Sequence, residues 1–116
     1  MINKGAGLPA DMVFLDLEDA VAPKEKESSR PRVAEAIRTL DWGDKVLCVR
    51  VNDWSTKWTA YDIIEVVGNA GPRLDEIMLP KVESAAQIVA TDMLLRQVEI
   101  ASGLPIGHIG IEAQIE

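Results

Sequence analysis

Seven ionisable side chains stand where apolar runs of this sequence turn polar: Asp16, Glu18, Arg50, Lys81, Glu83, Glu112 and Glu116. Five are carboxylates and two are cations, so gathered in one place they carry net negative charge. Such a set suits a divalent cation that takes hard oxygen ligands, Mg²⁺ first among them. A cation of that kind polarises carbonyls and stabilises oxyanions during bond cleavage.

The elements that must position these groups repeat along the chain. Four apolar runs, MVFLDLED (12–19), VLCVRVND (46–53), EIMLPKVE (76–83) and IGHIGIEAQIE (106–116), have the composition of β-strands. The first three lead into helix-like stretches, and their starts recur about every 30 residues, the layout of a parallel β/α array. In such arrays chemistry sits at the carboxyl ends of the strands. A first helix is predicted to begin at Ser28 or Ser29, ahead of Pro31, and to run to about Leu40 with Val33, Ala36, Ile37 and Leu40 on one face. A short helix is predicted around Tyr61 to Val67, ended by Gly68-Asn69-Ala70-Gly71-Pro72. A third opens on a Ser84/Gln87 capping box, with Ile88, Met93, Leu94, Val98 and Ala101 as its apolar stripe, and ends at Gly103 and Pro105.

Side chains alternate across a strand, and strict alternation sorts the polar ones. It places Asp16 and Glu18 opposite Val13, Leu15 and Leu17, and Cys48, Arg50 and Asn52 opposite Leu47, Val49 and Val51. It places Leu79, Lys81 and Glu83 opposite Met78, Pro80 and Val82, and Glu112, Gln114 and Glu116 opposite Ile111, Ala113 and Ile115. One face of every strand is apolar and suits a helix layer. The other turns polar towards its end, which suits a barrel mouth, because a buried charge is costly unless paired or ligated.

At 116 residues, 47% of them hydrophobic and 27% charged, the chain is an ordinary globular composition with room for one modest core. A net charge of −7 argues against a nucleic-acid surface. No apolar run is long enough for a membrane span, and no signal peptide opens the chain, so a cytoplasmic location is expected. Cys48 is the single cysteine and is assigned to the core. No strand precedes 12–19 and no helix follows 106–116, so four strands covered on one side would leave the other sheet face bare. The expected architecture is α/β, a partial (β/α)₈ barrel, with residues 1–116 an incomplete single domain; the alternative is a self-contained flat α/β domain.

The segments DLEDAVAPKEKE, VRVND, LPKVES and IGIEAQIE resemble, in order and spacing, the citrate lyase β-subunit-like branch of the HpcH/HpaI aldolase/citrate lyase family. Within that branch the likeness is to malyl-CoA and β-methylmalyl-CoA lyases, and it covers nearly the whole chain. The resemblance implies strands two to five of a (β/α)₈ barrel of the phosphoenolpyruvate/pyruvate type, the N-terminal half without its first strand. It further implies Mg²⁺-dependent cleavage or formation of a C–C bond between a 2-oxo acid and the enolate of an acyl-CoA, in a homo-oligomer, trimer or hexamer.

Carried over by the resemblance, Arg50 matches the arginine that contacts the reacting carbonyl or carboxylate, and it can at the same time pair with Glu18 or Glu83. Glu116 matches the metal-binding glutamate, with Glu112 as the alternative. Glu18 and Asp19 match an acidic pair that orders water at the metal or orients Arg50; Asp19 also suits a turn cap. Lys81 and Glu83 are assigned to substrate binding, against a local ion pair. His108 reads as packing or surface, Trp54 and Trp58 as either substrate flanks or burial, and Lys24, Lys26, Arg30 and Arg32 as a solvated helix face. The alternatives within the family are a citryl-CoA lyase, a malyl-CoA thioesterase or a 2-oxo acid aldolase without CoA. Outside enzymology the alternative is a non-catalytic half-barrel that acts as an interaction module. The second metal carboxylate and the catalytic acid/base are expected outside residues 1–116, so this segment alone is expected to be inactive.

Overall fold

The sheet is wholly parallel and its strands lie in chain order, β1-β2-β3-β4. These are β1 (Met12–Asp16), β2 (Val46–Arg50), β3 (Glu76–Val82) and β4 (Gly110–Ile115), alternating with helices α1 (Lys26–Thr39), α2 (Thr59–Ala70) and α3 (Ala85–Ala101). This is a computed structural model, and it describes residues 11–115. Among them, no helix is long and apolar enough to cross a membrane.

All three helices pack on one face of the sheet. Leu15, Leu47, Val49, Ile77 and Leu79 point from the strands into a core completed by Val33 and Ile37 of α1, Ile63, Val66 and Val67 of α2, and Leu95 and Val98 of α3. The opposite face carries the rows set by strand register: Phe14, Cys48, Glu76 and Gly110 form one, and Asp16, Arg50, Met78 and Glu112 the next. Phe14 on this face is 49% exposed.

Three elements depart from the periodicity argument. Helix α1 begins before Ser28, after a 3₁₀ turn at Pro23–Glu25, and takes Pro31 into its interior. Its first turn is anchored by Lys26, whose Nζ donates to the Leu17 and Glu18 carbonyls at 3.3 and 2.7 Å, so tertiary bonds outweigh the proline. Helix α2 runs through Gly68 and Asn69 to Ala70, because Val66, Val67 and Ala70 remain in the core. The buried stripe of α3 is Thr91, Leu95, Val98 and Glu99, while Met93 is 69% exposed. At its start the Gln87 amide oxygen accepts from the Glu83 N–H at 2.8 Å, one residue upstream of a capping box.

Gly71, just past α2, shows how closely the connections pack. A Cβ there would meet Leu104 Cδ1 at 2.5 Å and the Val67 carbonyl oxygen at 2.6 Å. Leu104 could turn aside, but the carbonyl belongs to a helix backbone. Gly71→Ala is therefore expected to cost about 1–3 kcal/mol, read as a lower midpoint of chemical denaturation.

Candidate active site at the strand ends

Asp16 closes β1 and Arg50 closes β2, and the two are register partners. Arg50 grips Asp16 with both prongs: Nε donates to Oδ1 at 2.9 Å and Nη2 to Oδ2 at 2.5 Å. The same carboxylate accepts the Glu18 N–H at 2.8 Å and the Ala20 N–H at 3.1 Å. Burial pushes the Asp16 carboxyl up, but these donors outweigh it and hold it below the ordinary carboxylate range. Asp16, deeper on its strand than Glu18 and read from sequence as structural, thus turns the chain and fixes the arginine.

Glu18 emerges from that turn with its carboxylate buried between two cations. Its Oε1 lies 3.5 Å from Arg50 Nε and its Oε2 3.3 Å from Lys81 Nζ. The carboxylate holds the Lys81 ammonium above its ordinary range. Lys81 is half exposed, so the pair is screened by solvent.

Lys81 reaches this position by a route that alternation does not describe. Met78, not Leu79, shares the polar face with Arg50, while Leu79 is fully buried under the helices. The alternation assigned to 76–83 is therefore one residue out of phase at its start. Between Leu79 and Val82 the register with β4 shifts, and Lys81 takes a left-handed backbone at φ +53°. The irregularity turns Lys81 towards Glu18 and returns Val82 to the core. A lysine in this conformation is unusual and strained.

Below this tier lies a second acidic group. Ligand atoms of Cys48, Glu76 and Glu112 all fall within 4.8 Å of one another. Burial pushes the Cys48 thiol far up, and the carboxylates of Glu76 and Glu112 add to it, so the sulfur stays a neutral thiol and a poor ligand. Burial also raises the Glu76 carboxyl, again helped by Glu112. Glu76 Oε1 is buried without a hydrogen-bond partner. As hard oxygen donors Glu76 and Glu112 match Mg²⁺ in type, and the thiol does not. Glu112 shares the Arg50 row two strands away, about 10 Å across the sheet. A groove of about 400 Å³ runs over this face, lined by Phe14, Asp16, Arg50, Met78 and Gln114.

The structure thus gathers Arg50, Glu18 and Lys81, with Asp19 exposed on the adjacent turn. It does not bring in Glu83, which is exposed and makes no ion pair among the described residues. Glu116 lies outside the described residues. Asn52 also departs from its assigned face, because β2 ends at Arg50 and the next residues turn under the helices. Its Nδ2 donates to Asp62 Oδ2 at 2.7 Å and to the Leu17 carbonyl at 3.0 Å.

Lys26 and Arg30 are likewise not solvated. Lys26 is buried against the Trp58 ring at 5.2 Å, and Arg30 Nε donates to the buried Asp62 at 2.8 Å. Trp54 packs on the core and its indole N–H donates to Thr91 Oγ1 at 2.8 Å, which settles it as burial. His108 is exposed, with Nε2 2.9 Å from the Gly71 carbonyl oxygen. Asp53, Asp62 and Glu76 were not singled out from sequence. Asp62 shares a helix face with Val66, and a charge inside an apolar stripe was the signal to follow.

The whole of residues 1–116 matches the HpcH/HpaI aldolase/citrate lyase family. The chain belongs to that family. It is 47% identical over 103 residues to an L-malyl-CoA/β-methylmalyl-CoA lyase of Cereibacter sphaeroides, covering 89% of this chain and 32% of that protein. It is 42% identical over 114 residues to a citrate lyase subunit beta of Leuconostoc mesenteroides subsp. cremoris, covering 97% of this chain and 37% of that one. The chain therefore spans about a third of the length of these HpcH/HpaI relatives. In fold it matches Haloferax volcanii malate synthase, solved as a magnesium/glyoxylate complex, at a TM-score of 0.86 and 19% identity, over 97% of this chain and 36% of that one. The four parallel strands and three helices are thus part of a TIM-barrel-like fold, as the strand spacing implied.

Proposed function

We propose that this chain supplies part of the active site of a Mg²⁺-dependent acyl-CoA carbon–carbon lyase. The reaction is cleavage of a malyl-CoA-type 3-hydroxyacyl-CoA to a 2-oxo acid and an acyl-CoA. The observation that carries the reading is the clamp on Arg50. Asp16 and Glu18 fix the guanidinium at the mouth of the sheet, yet Asp16 uses only two of its five N–H groups. The other three have no acceptor among the described residues, and Arg50 lines a groove open to a ligand. A rigid, undischarged fork of donors suits the planar carboxylate of an oxo acid and the charge that develops on an enolate.

In this reading Arg50 binds the oxo-acid end and stabilises the developing enolate. Glu18 and Asp19 hold the field around Arg50, and Lys81 meets the substrate at the rim. Glu116 would hold Mg²⁺, with Glu112 as the alternative donor, and the ion would supply Lewis-acid polarisation of a carbonyl oxygen. The relatives' names support acyl-CoA substrates. A homo-oligomer, trimer or hexamer, in the cytoplasm completes the proposal, with no nucleic-acid or membrane partner.

The test is a substrate panel on the complete protein, with and without Mg²⁺. Malyl-CoA or β-methylmalyl-CoA should be cleaved with Mg²⁺, lost on chelation and restored by adding the ion back. The 42% identity to a citrate lyase subunit beta makes citryl-CoA the second substrate to include. Turnover by thioester hydrolysis alone, or no turnover of any CoA ester, would overturn the lyase reading.

A further inference from the structure

The carboxylate of Asp62 is fully buried on α2, outside the sheet, and touches none of the groups at the strand ends. It accepts three hydrogen bonds: from Arg30 Nε at 2.8 Å, from the Asn52 backbone N–H at 2.9 Å and from Asn52 Nδ2 at 2.7 Å. Asn52 spends its other amide proton on the Leu17 carbonyl, 3.0 Å away. Lys26 grips the same carbonyl and that of Glu18. The backbone from which Glu18 projects is therefore held from beneath by α1, by α2 and by the segment after β2.

We infer that Asp62, acting through Asn52 and the Leu17 carbonyl, is a positioning residue that aims Glu18 at Arg50 and Lys81. The inference rests on the lyase reading for its kinetic consequence but not for its geometry. Glu18 stands at 3.5 Å from one cation and 3.3 Å from the other, distances at the outer edge of ion pairing. A small displacement of residues 17 and 18 breaks one or both, and Arg50 then answers to Asp16 alone. A carboxylate is needed at 62 because its three donors are all N–H groups. An amide there would turn one N–H against another.

The test uses Asp62→Asn and Asn52→Ala in the complete protein, each made in the wild-type and the Glu18→Gln backgrounds. In the wild-type background kcat should fall about 10- to 100-fold, the size typical of lost supporting bonds, while KM for the acyl-CoA changes by less than about threefold. In the Glu18→Gln background the same substitutions should change kcat by less than about threefold. A second readout needs no substrate: the NMR signal of the Arg50 Nε–H should move in both single variants, and stay put when Glu18 is already glutamine. Equal losses of kcat in both backgrounds would make Asp62 a purely structural residue and overturn the inference. So would an Arg50 signal indifferent to Asp62 and Asn52. If Asp62→Asn fails to fold, Asn52→Ala decides alone, since it removes the Nδ2 bonds to Leu17 and Asp62 and keeps the backbone N–H bond to Asp62. A wild-type protein inactive on every CoA ester would remove the lyase reading, and the Arg50 signal would still decide the positioning role.

Discussion

Arg50→Ala in the complete protein is expected to lower kcat by about 10²- to 10³-fold, the effect of deleting one preorganised donor to a developing oxyanion. Arg50→Lys should recover little, because an ammonium cannot hold both Asp16 oxygens and present a planar fork to substrate. The fold should survive. Asp16 keeps the Glu18 and Ala20 N–H groups and Glu18 keeps Lys81, so the stability lost is about 1–3 kcal/mol, that of a charged hydrogen bond. Steady-state kinetics on the malyl-CoA series, beside a thermal melt, separates the two effects. A kcat unchanged by Arg50→Ala would take the residue out of the chemistry.

Glu99→Ala is expected to destabilise the fold by about 3–5 kcal/mol. Its side chain is fully buried and both oxygens are in use. Arg96 Nη1 donates to Oε1 at 2.8 Å and Oε2 at 2.9 Å, the Gly107 N–H to Oε1 at 2.9 Å, and the Ile109 N–H to Oε2 at 2.7 Å. Truncation leaves two amides without their acceptor and a guanidinium tied to Asp92 and the Ile109 carbonyl. Glu99→Gln should cost less, because it keeps one acceptor. Burial pushes the Glu99 carboxyl up, but the Ile109 and Gly107 amides and Arg96 outweigh it and hold it below its ordinary value of 4.5. A carboxyl lowered on folding stabilises the native state above that value and releases the gain as pH falls through the folded pKa. Wild-type stability should therefore drop below about pH 4.5, and the Glu99→Gln variant should show a shallower drop. Hydrogen exchange at the Ile109 amide reports the loss locally. Protection there that is equal in Glu99→Ala and wild type would contradict the account.

The helical face of the sheet was legible in sequence because alternation is enforced wherever one face is buried. Leu15, Leu47, Val49 and Ile111 fall on the assigned side, and Arg50 with Asp16 on the other. The run 76–83 was not legible. Its phase is reset by a left-handed Lys81, and no glycine or asparagine marks the spot. Lys81 still arrived in the site, for a reason that alternation does not contain. Lys26 and Arg30 look like a solvated basic face because their partners, Leu17, Glu18 and Asp62, are distant in sequence. The stripe on α3 was shifted for a similar reason. Thr91 and Glu99 bury polar atoms whose bonds to Trp54 and to the 107–109 turn make burial tolerable, so hydrophobicity alone points to Met93 instead. The ion cluster at the strand ends was readable as residue types in register, and the bonds that aim it were not.

A sheet whose strands lie in chain order has a consequence for how it is made. Each β-strand finds its partner in the unit synthesised just before it, so the helix-covered core can grow step by step as the polypeptide leaves the ribosome. The charged cluster cannot. Glu18 belongs to the first unit, Arg50 to the second and Lys81 to the third, so two of the buried Glu18 contacts arrive late. A nascent chain halted after β2 should hold α1 packed on two paired strands and an arginine-bound Glu18, with the lysine contact still to come. In the birth of this protein the scaffold precedes the chemistry.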